Sequence, residues 1–90
     1  MWYVYIVKCA DGTFYTGVTN NLDRRVFEHN NSTLGSKYTK ARRPVSLVYS
    51  KRHRDRSGAQ KNEHQIKNFT RDEKIRLINK KNERVSNRKR

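Results

Sequence analysis

The stretch MWYVYIVKCADGTFYTGV, residues 1–18, decides the fold. Trp2 to Val7 is an unbroken run of aromatic and β-branched side chains, apolar on both alternating faces, which suits a strand covered on both sides. Ala10-Asp11-Gly12 supplies a tight turn. Thr13-Phe14-Tyr15-Thr16-Gly17-Val18 again has strand composition, so residues 2–18 predict an antiparallel hairpin. Two turns compete, and they differ in register. With Asp11-Gly12 as a two-residue loop, Ala10 pairs with Thr13, and Tyr5 and Tyr15 fall on opposite faces. With Ala10-Asp11-Gly12 as a three-residue loop, Cys9 pairs with Thr13, Tyr5 faces Gly17, Val7 faces Tyr15, and both tyrosines share one side. The second is preferred, because Gly12 fits the bulge position that needs positive φ. The chemistry considered below also requires it.

Outward from the hairpin, Asn20 or Asn21 can cap a helix over residues 22–30, with Asp23 in its favourable first turn. Leu22, Val26 and His29 share a stripe on that helix, and Arg25 lies at its edge. Residues 30–36 form a polar connection, and residues 37–43 a short helix that ends before Pro44. Residues 45–49 are a third strand, followed by a basic loop, Lys51-Arg52-His53-Arg54. Ser57 with Gln60, and Thr70 with Glu73, match capping boxes and predict helices over about 57–69 and 71–80. Ala59, Ile66 and Phe69 make a thin apolar stripe on the first, and Glu63 lies within it. A carboxylate on the buried side of a helix wants a partner. The second helix buries Ile75 and Ile78, with Leu77 at its flank. The whole predicts an α/β domain over residues 1–80, a small three-stranded sheet (the N-terminal hairpin plus one later strand) flanked by helices. Residues 81–90 are expected to be a basic, disordered tail.

Ninety residues allow one domain with a small core. Twenty-two Lys and Arg against 8 Asp and Glu give a formal charge of +14, which points to a polyanionic partner. The longest apolar run falls far below the ~20 residues that cross a bilayer, so neither a membrane span nor a signal peptide is expected. A single cysteine, Cys9, forms no intramolecular disulfide, and no paired Cys/His spacing suits a structural zinc. A reducing, cytoplasmic setting is expected, nucleoid-associated if the source is bacterial.

Five residues converge once these elements are laid side by side: Tyr5 and Tyr15 on one face of the hairpin, Arg25 and His29 one helical turn apart, and Glu63 on a later helix. Each alone has an ordinary structural explanation, Glu63 least of all, since its neighbours on the stripe are apolar. Tyr3-Val4-Tyr5, then Tyr15-Thr16-Gly17, then Asn21-Leu22 and Arg25, resemble the signature of the GIY-YIG nuclease superfamily. Within it, the likeness is to small single-domain members of the UPF0213 type, and it covers roughly residues 2–80.

The resemblance implies a small mixed sheet flanked by helices, and divalent-metal-dependent hydrolysis of phosphodiester bonds in DNA, of a structure-specific kind used in repair or recombination. The family's two motif tyrosines fall on Tyr5 and Tyr15, its arginine on Arg25, its metal-binding glutamate on Glu63, and the histidine some members carry on His29. These residue types suit the reaction. One carboxylate with waters holds Mg²⁺ or Mn²⁺, and arginine offers a phosphate two parallel hydrogen bonds. A tyrosine or His29 serves as proton acceptor, with the choice left open. The sequence departs from the signature at Tyr3 for Gly, Val4 and Thr16 for Ile, and Val18 where some members have a lysine. Gly17, opposite Tyr5, is expected to leave space for a phosphate or metal to approach the sheet.

Nucleic acid is the expected partner, contacted by Lys37, Tyr38, Lys40, Arg42, Arg43, Lys51, Arg52 and Arg54, with Tyr38 able to stack on a base. Target choice would come from nucleic-acid shape or a partner protein. A non-catalytic binding module on the same fold carries the same basic loops and is the competing reading. A helix-turn-helix made of the last two helices is a third, disfavoured by a junction without glycine.

Overall fold

In a computed structural model of the chain, which describes residues 1–88 with side chains through Lys81, the hairpin closes in the three-residue register. The Cys9 N–H donates to the Thr13 carbonyl at 2.8 Å, the Gly12 N–H to the Cys9 carbonyl at 2.9 Å, and Gly12 sits at φ +86°. Asp11 accepts from the Thr13 N–H at 3.1 Å and hydroxyl at 2.6 Å, contacts that hold its carboxyl below the usual carboxylate range. Residues 89 and 90 of the basic tail lie outside the described residues.

The chain runs β1 (Trp2–Lys8), β2 (Phe14–Thr19), α1 (Leu22–Asn31), α2 (Lys37–Lys40), β3 (Ser46–His53), α3 (Arg56–Lys67), α4 (Arg71–Arg88). Strand order is β2-β1-β3, so the most apolar strand is central and covered on both faces, as its composition requires. Both pairings are antiparallel, so the sheet is not the mixed one that the resemblance implied. Val4 and Ile6 face one way, packing with Tyr49 against Ala59 and Ile66 of α3 and Ile78 of α4. Tyr5 and Val7 face the other, with Cys9, Val45 and the Leu22 and Val26 stripe of α1. Because α3 and α4 both bury apolar residues against the sheet, they do not form a free helix-turn-helix.

Three boundaries differ from expectation. β3 continues through Lys51 and Arg52 to His53, where a basic loop was expected. It is an edge strand, and an edge strand with a solvated face accommodates charged side chains. Asp55, not Ser57, caps α3, its Oδ1 accepting from the Gly58 N–H at 2.8 Å. The Thr70–Glu73 box forms reciprocally: Glu73 accepts from the Thr70 N–H at 2.8 Å and its own N–H donates to the Thr70 hydroxyl at 3.2 Å. The helix it starts runs to Arg88, past the end expected near residue 80.

Candidate active site

The sheet's β2 edge carries a cleft of about 260 Å³. Tyr5, Tyr15, Arg25 and Glu63, four of the five converging residues, line it together with Trp2, Gly17, Val18, Arg56 and Gln60. Each arrives by a simple local rule. Tyr5 and Tyr15 lie on one face because Val7 pairs with Tyr15 and Tyr5 with Gly17, and their ring centroids are 6.5 Å apart. Arg25 stands on the first turns of α1, which Asn21 caps by accepting from the Arg24 N–H at 3.0 Å. Glu63 comes from α3, which passes beside β2.

His29 takes the fifth place from behind. It is 0% exposed, and the Tyr5 hydroxyl lies 2.7 Å from its Nε2. Its Nδ1 lies 2.8 Å from Oγ1 of Thr39, a residue also 0% exposed. The Thr39 hydroxyl also lies 3.0 Å from the Ser36 hydroxyl and 3.2 Å from the Ser36 carbonyl; when it donates to Ser36, its oxygen accepts from the His29 Nδ1–H. Nε2 is then the acceptor for the Tyr5 hydroxyl. Burial, seconded by the charge of Arg25, pushes the His29 pKa down to about 4, so the imidazole is neutral at neutral pH. Burial likewise pushes Tyr5 up to about 12, with the Arg25 guanidinium pulling partly the other way. Tyr5 therefore keeps its proton and hands it toward His29.

Arg25 is oriented by its own Nη1, which donates to Glu28 Oε1 at 3.0 Å and to the Leu34 carbonyl at 2.8 Å. Glu63 Oε2 pairs with Lys67 Nζ, one helical turn on, at 3.4 Å. The oxygen donors lining the cleft are the Glu63 carboxylate, the Gln60 amide and two phenols, with no cysteine or histidine among them. No group of three or more His, Cys, Asp or Glu that could hold a metal occurs among the described residues. A single carboxylate in an open, oxygen-lined cleft fits a hard cation that keeps most of its waters, as Mg²⁺ does, and not zinc.

Gly17 does not leave the space expected of it. A β-carbon there would lie 2.5 Å from the Tyr5 hydroxyl oxygen, so the ring of Tyr5 itself fills that space. Of the basic residues expected at the nucleic acid, Lys37, Lys40, Lys51, Arg52 and Arg54 are exposed. Lys51 and Arg52 lie on β3, separated from the cleft-bearing β2 by β1. Arg42 pairs with Asp11 at 3.0 Å, and its guanidinium lies 3.9 Å from the centre of the Tyr38 ring, which in turn stacks beside Tyr15. Arg43 is committed inside the fold. It donates to the carbonyls of His29 at 2.6 Å and Ser32 at 2.7 Å, closing the C-terminus of α1, so a surface role does not fit it. Sequence reasoning missed Thr39, Trp2, Arg56 and Gln60. Gln60 sits one turn before Glu63 and was accessible by helical spacing; Thr39 carried no signal.

Known proteins resemble this chain in sequence and fold. The family model described as the GIY-YIG catalytic domain matches residues 1–82. A UPF0213 protein of Desulfotalea psychrophila is 54% identical over 77 residues, covering 86% of this chain and 70% of its own length. A UPF0213 protein of Staphylococcus saprophyticus is 50% identical over 76 residues, 84% of this chain and 92% of its own. The solution structure of a UPF0213 protein from Bacillus halodurans superposes with a TM-score of 0.56 at 39% identity, over 88% of this chain and 84% of that one. The solution structure of a protein from E. faecalis does so with a TM-score of 0.59 at 38% identity, over 87% and 82%.

Proposed function

The chain belongs to the GIY-YIG family, and from that premise we propose that it is a divalent-metal-dependent endonuclease that hydrolyses phosphodiester bonds in DNA. One observation carries the reading. Tyr5, Tyr15, Arg25 and Glu63, brought from two strands and two helices, line a single cleft in a protein of charge +14.

Glu63, with Gln60 beside it, would hold Mg²⁺ or Mn²⁺, and the ion when bound supplies counter-charge to the phosphate oxygens. Arg25, held by Glu28 and Leu34 on one nitrogen, keeps its remaining N–H groups for the Tyr5 hydroxyl and an incoming phosphate. Tyr5 acts as a relay, not as a free phenolate, because burial opposes its ionisation. Its oxygen accepts a proton from the attacking water as its own proton passes to His29 Nε2, which is neutral and 2.7 Å away. Thr39, by accepting from Nδ1–H, would hold His29 in the tautomer this transfer needs. Tyr15 offers a second cleft hydroxyl that orients the water.

No described helix is long and apolar enough to cross a membrane. The charge of +14 supplies sequence-independent affinity for a polyanion, steeply dependent on salt. Target choice would come from DNA shape, as at a flap or junction, or from a partner protein.

The test is cleavage of a labelled panel of single-stranded, duplex, flap and branched DNA with Mg²⁺ or Mn²⁺, with Glu63→Gln in parallel. Cleavage that disappears in the variant while binding persists supports the proposal. Equal cleavage by both proteins refutes the metal assignment, and binding without cleavage across the panel establishes the non-catalytic module instead.

A further inference from the structure

A second recess of about 230 Å³ adjoins the cleft along β2. Its walls are Phe14, Tyr15, Thr16, Tyr38, Lys67 and Lys74. Tyr15 lines both spaces, and Lys67 on this side pairs with Glu63 on the other, so the two adjoin. The cleft opens at Gly17 and Val18 and the recess at Phe14 and Thr16, a step along the strand of roughly 7 Å, about the length of one nucleotide.

The lining is of two kinds. Three aromatic rings present flat apolar surface, and guanidinium groups already lie over two of them, Arg42 over Tyr38 at 3.9 Å and Arg71 over Phe14 at 5.2 Å. A planar group bound against these rings would take the place of the guanidinium groups that now cover them. Two ammonium groups complete the wall, and Lys74 is crowded enough that burial, then the charge of Lys67, lowers its pKa. An anion between them relieves that crowding.

Thr16 gives an independent sign. It is 3% exposed, and its Oγ1 is a buried side-chain polar atom without a hydrogen-bond partner, the only such atom among the described residues. A buried hydroxyl left unpaired is destabilising. Thr16 lines the recess, and its covered hydroxyl would meet the edge of a ligand there once the groups packed over it give way. The volume falls below the roughly 300–1,000 Å³ of sites for drug-sized ligands, and suits one ring system.

We propose that this recess binds one nucleotide unit of the nucleic acid, the neighbour of the phosphate held in the cleft. The base lies against Phe14 and Tyr38 with its edge on the Thr16 hydroxyl, and its phosphate lies between Lys67 and Lys74. The placement beside the scissile phosphate rests on the nuclease reading; the nucleotide site itself is testable without cleavage.

The experiment titrates the full ¹⁵N-labelled chain with each deoxynucleoside monophosphate, and separately with deoxyribose 5-phosphate, following amide shifts. The nucleotides should shift Phe14, Thr16, Lys67 and Lys74, and the sugar phosphate should bind at least about five-fold more weakly for lack of stacking. Thr16→Val keeps the shape and strand propensity of the site. It should weaken nucleotide binding several-fold, leave sugar-phosphate binding unchanged and hold or raise Tm, since it removes an unpaired buried hydroxyl. Lys74→Gln should weaken both ligands. Equal binding of nucleotide and sugar phosphate, shifts confined to the Arg25 and Glu63 cleft, or indifference to Thr16→Val overturns the proposal. Failure of the nuclease reading is distinct: absence of cleavage by the natural protein with Mg²⁺ or Mn²⁺, alongside intact nucleotide mapping.

Discussion

Gly17→Ala places one methyl group against the centre of the site. Its carbon would lie 2.5 Å from Tyr5 Oη, 2.7 Å from Cζ and 3.0 Å from Cε2, so the ring must retreat about 0.9 Å to reach ordinary contact at 3.4 Å. Tyr5 has nowhere to go. It is 1% exposed, and its hydroxyl is fixed to a histidine with no exposed surface. Overpacking of a fixed core costs about 1–3 kcal/mol, and breaking the Tyr5–His29 bond between buried groups adds about 1 kcal/mol or more. The sum, about 2–4 kcal/mol, should lower Tm by at least about 8 °C in a domain of this size, and cleavage should fall with it. Thermal unfolding followed by circular dichroism measures this. The three close contacts all belong to Tyr5, so the same substitution in a Tyr5→Leu background should be neutral, or stabilising by up to about 1 kcal/mol as glycine's unfolded-state freedom is lost. A Gly17→Ala protein that melts within about 2 °C of the natural one, or a penalty that persists unchanged beside Leu, would refute the reasoning.

The remaining expectations concern the polar groups around the same ring. Thr39→Val removes the acceptor for the His29 Nδ1–H and should destabilise the fold by about 1–3 kcal/mol, shifting the acid limb of the cleavage pH profile; Thr39→Ser should restore both, and a Thr39→Val protein with an unchanged profile would remove Thr39 from the relay. His29 titrates at about 4 in the fold and near ~6.5 when unfolded, so between these values the unfolded chain binds the additional proton. Its stabilisation is complete above that upper value and falls by about 1.4 kcal/mol per pH unit toward the lower one; Tm measured from pH 7 to 4.5 should show this slope, and His29→Gln should flatten it. Arg25→Lys loses the forked donor geometry and should slow single-turnover cleavage by roughly 2–4 kcal/mol of barrier, or about 30- to 10³-fold, with DNA binding largely kept; a rate within a few-fold of the natural protein counts against its phosphate role.

Much of this site was legible because local rules dictate it. Gly12 fixes the loop, the loop fixes the register, and the register places Tyr5 and Tyr15 together. Helical spacing places Arg25 and His29 one turn apart, and Glu63 announced itself as a charge among apolar residues. What stayed hidden depends on contacts distant in sequence. Ser57 with Gln60 matches a capping box in sequence, yet the carboxylate of Asp55, two residues earlier, is the group that accepts from the Gly58 N–H. Lys51 and Arg52 look like a loop until β1 supplies a strand to pair with. Arg43 is one cation among many until the carbonyls at the end of α1 converge on it. Thr39 is buried by a four-residue helix that folds its hydroxyl onto His29, an arrangement no periodicity encodes.

β2 lies at the border of the sheet, and among the described residues no further strand pairs with its outer side. Such a border invites a second chain to add itself in register, the first step of aggregation. It cannot be roofed over, because the cleft and the recess both open along it. Lys67 and Lys74 stand there instead, and a copy of the protein approaching edge to edge meets the same positive charges it carries. On the proposed reading, the cations that would draw a polyanion in also act as gatekeepers against self-association. Charge-removing variants at this border should therefore lose solubility along with any affinity for nucleic acid, so that one set of lysines would serve both purposes.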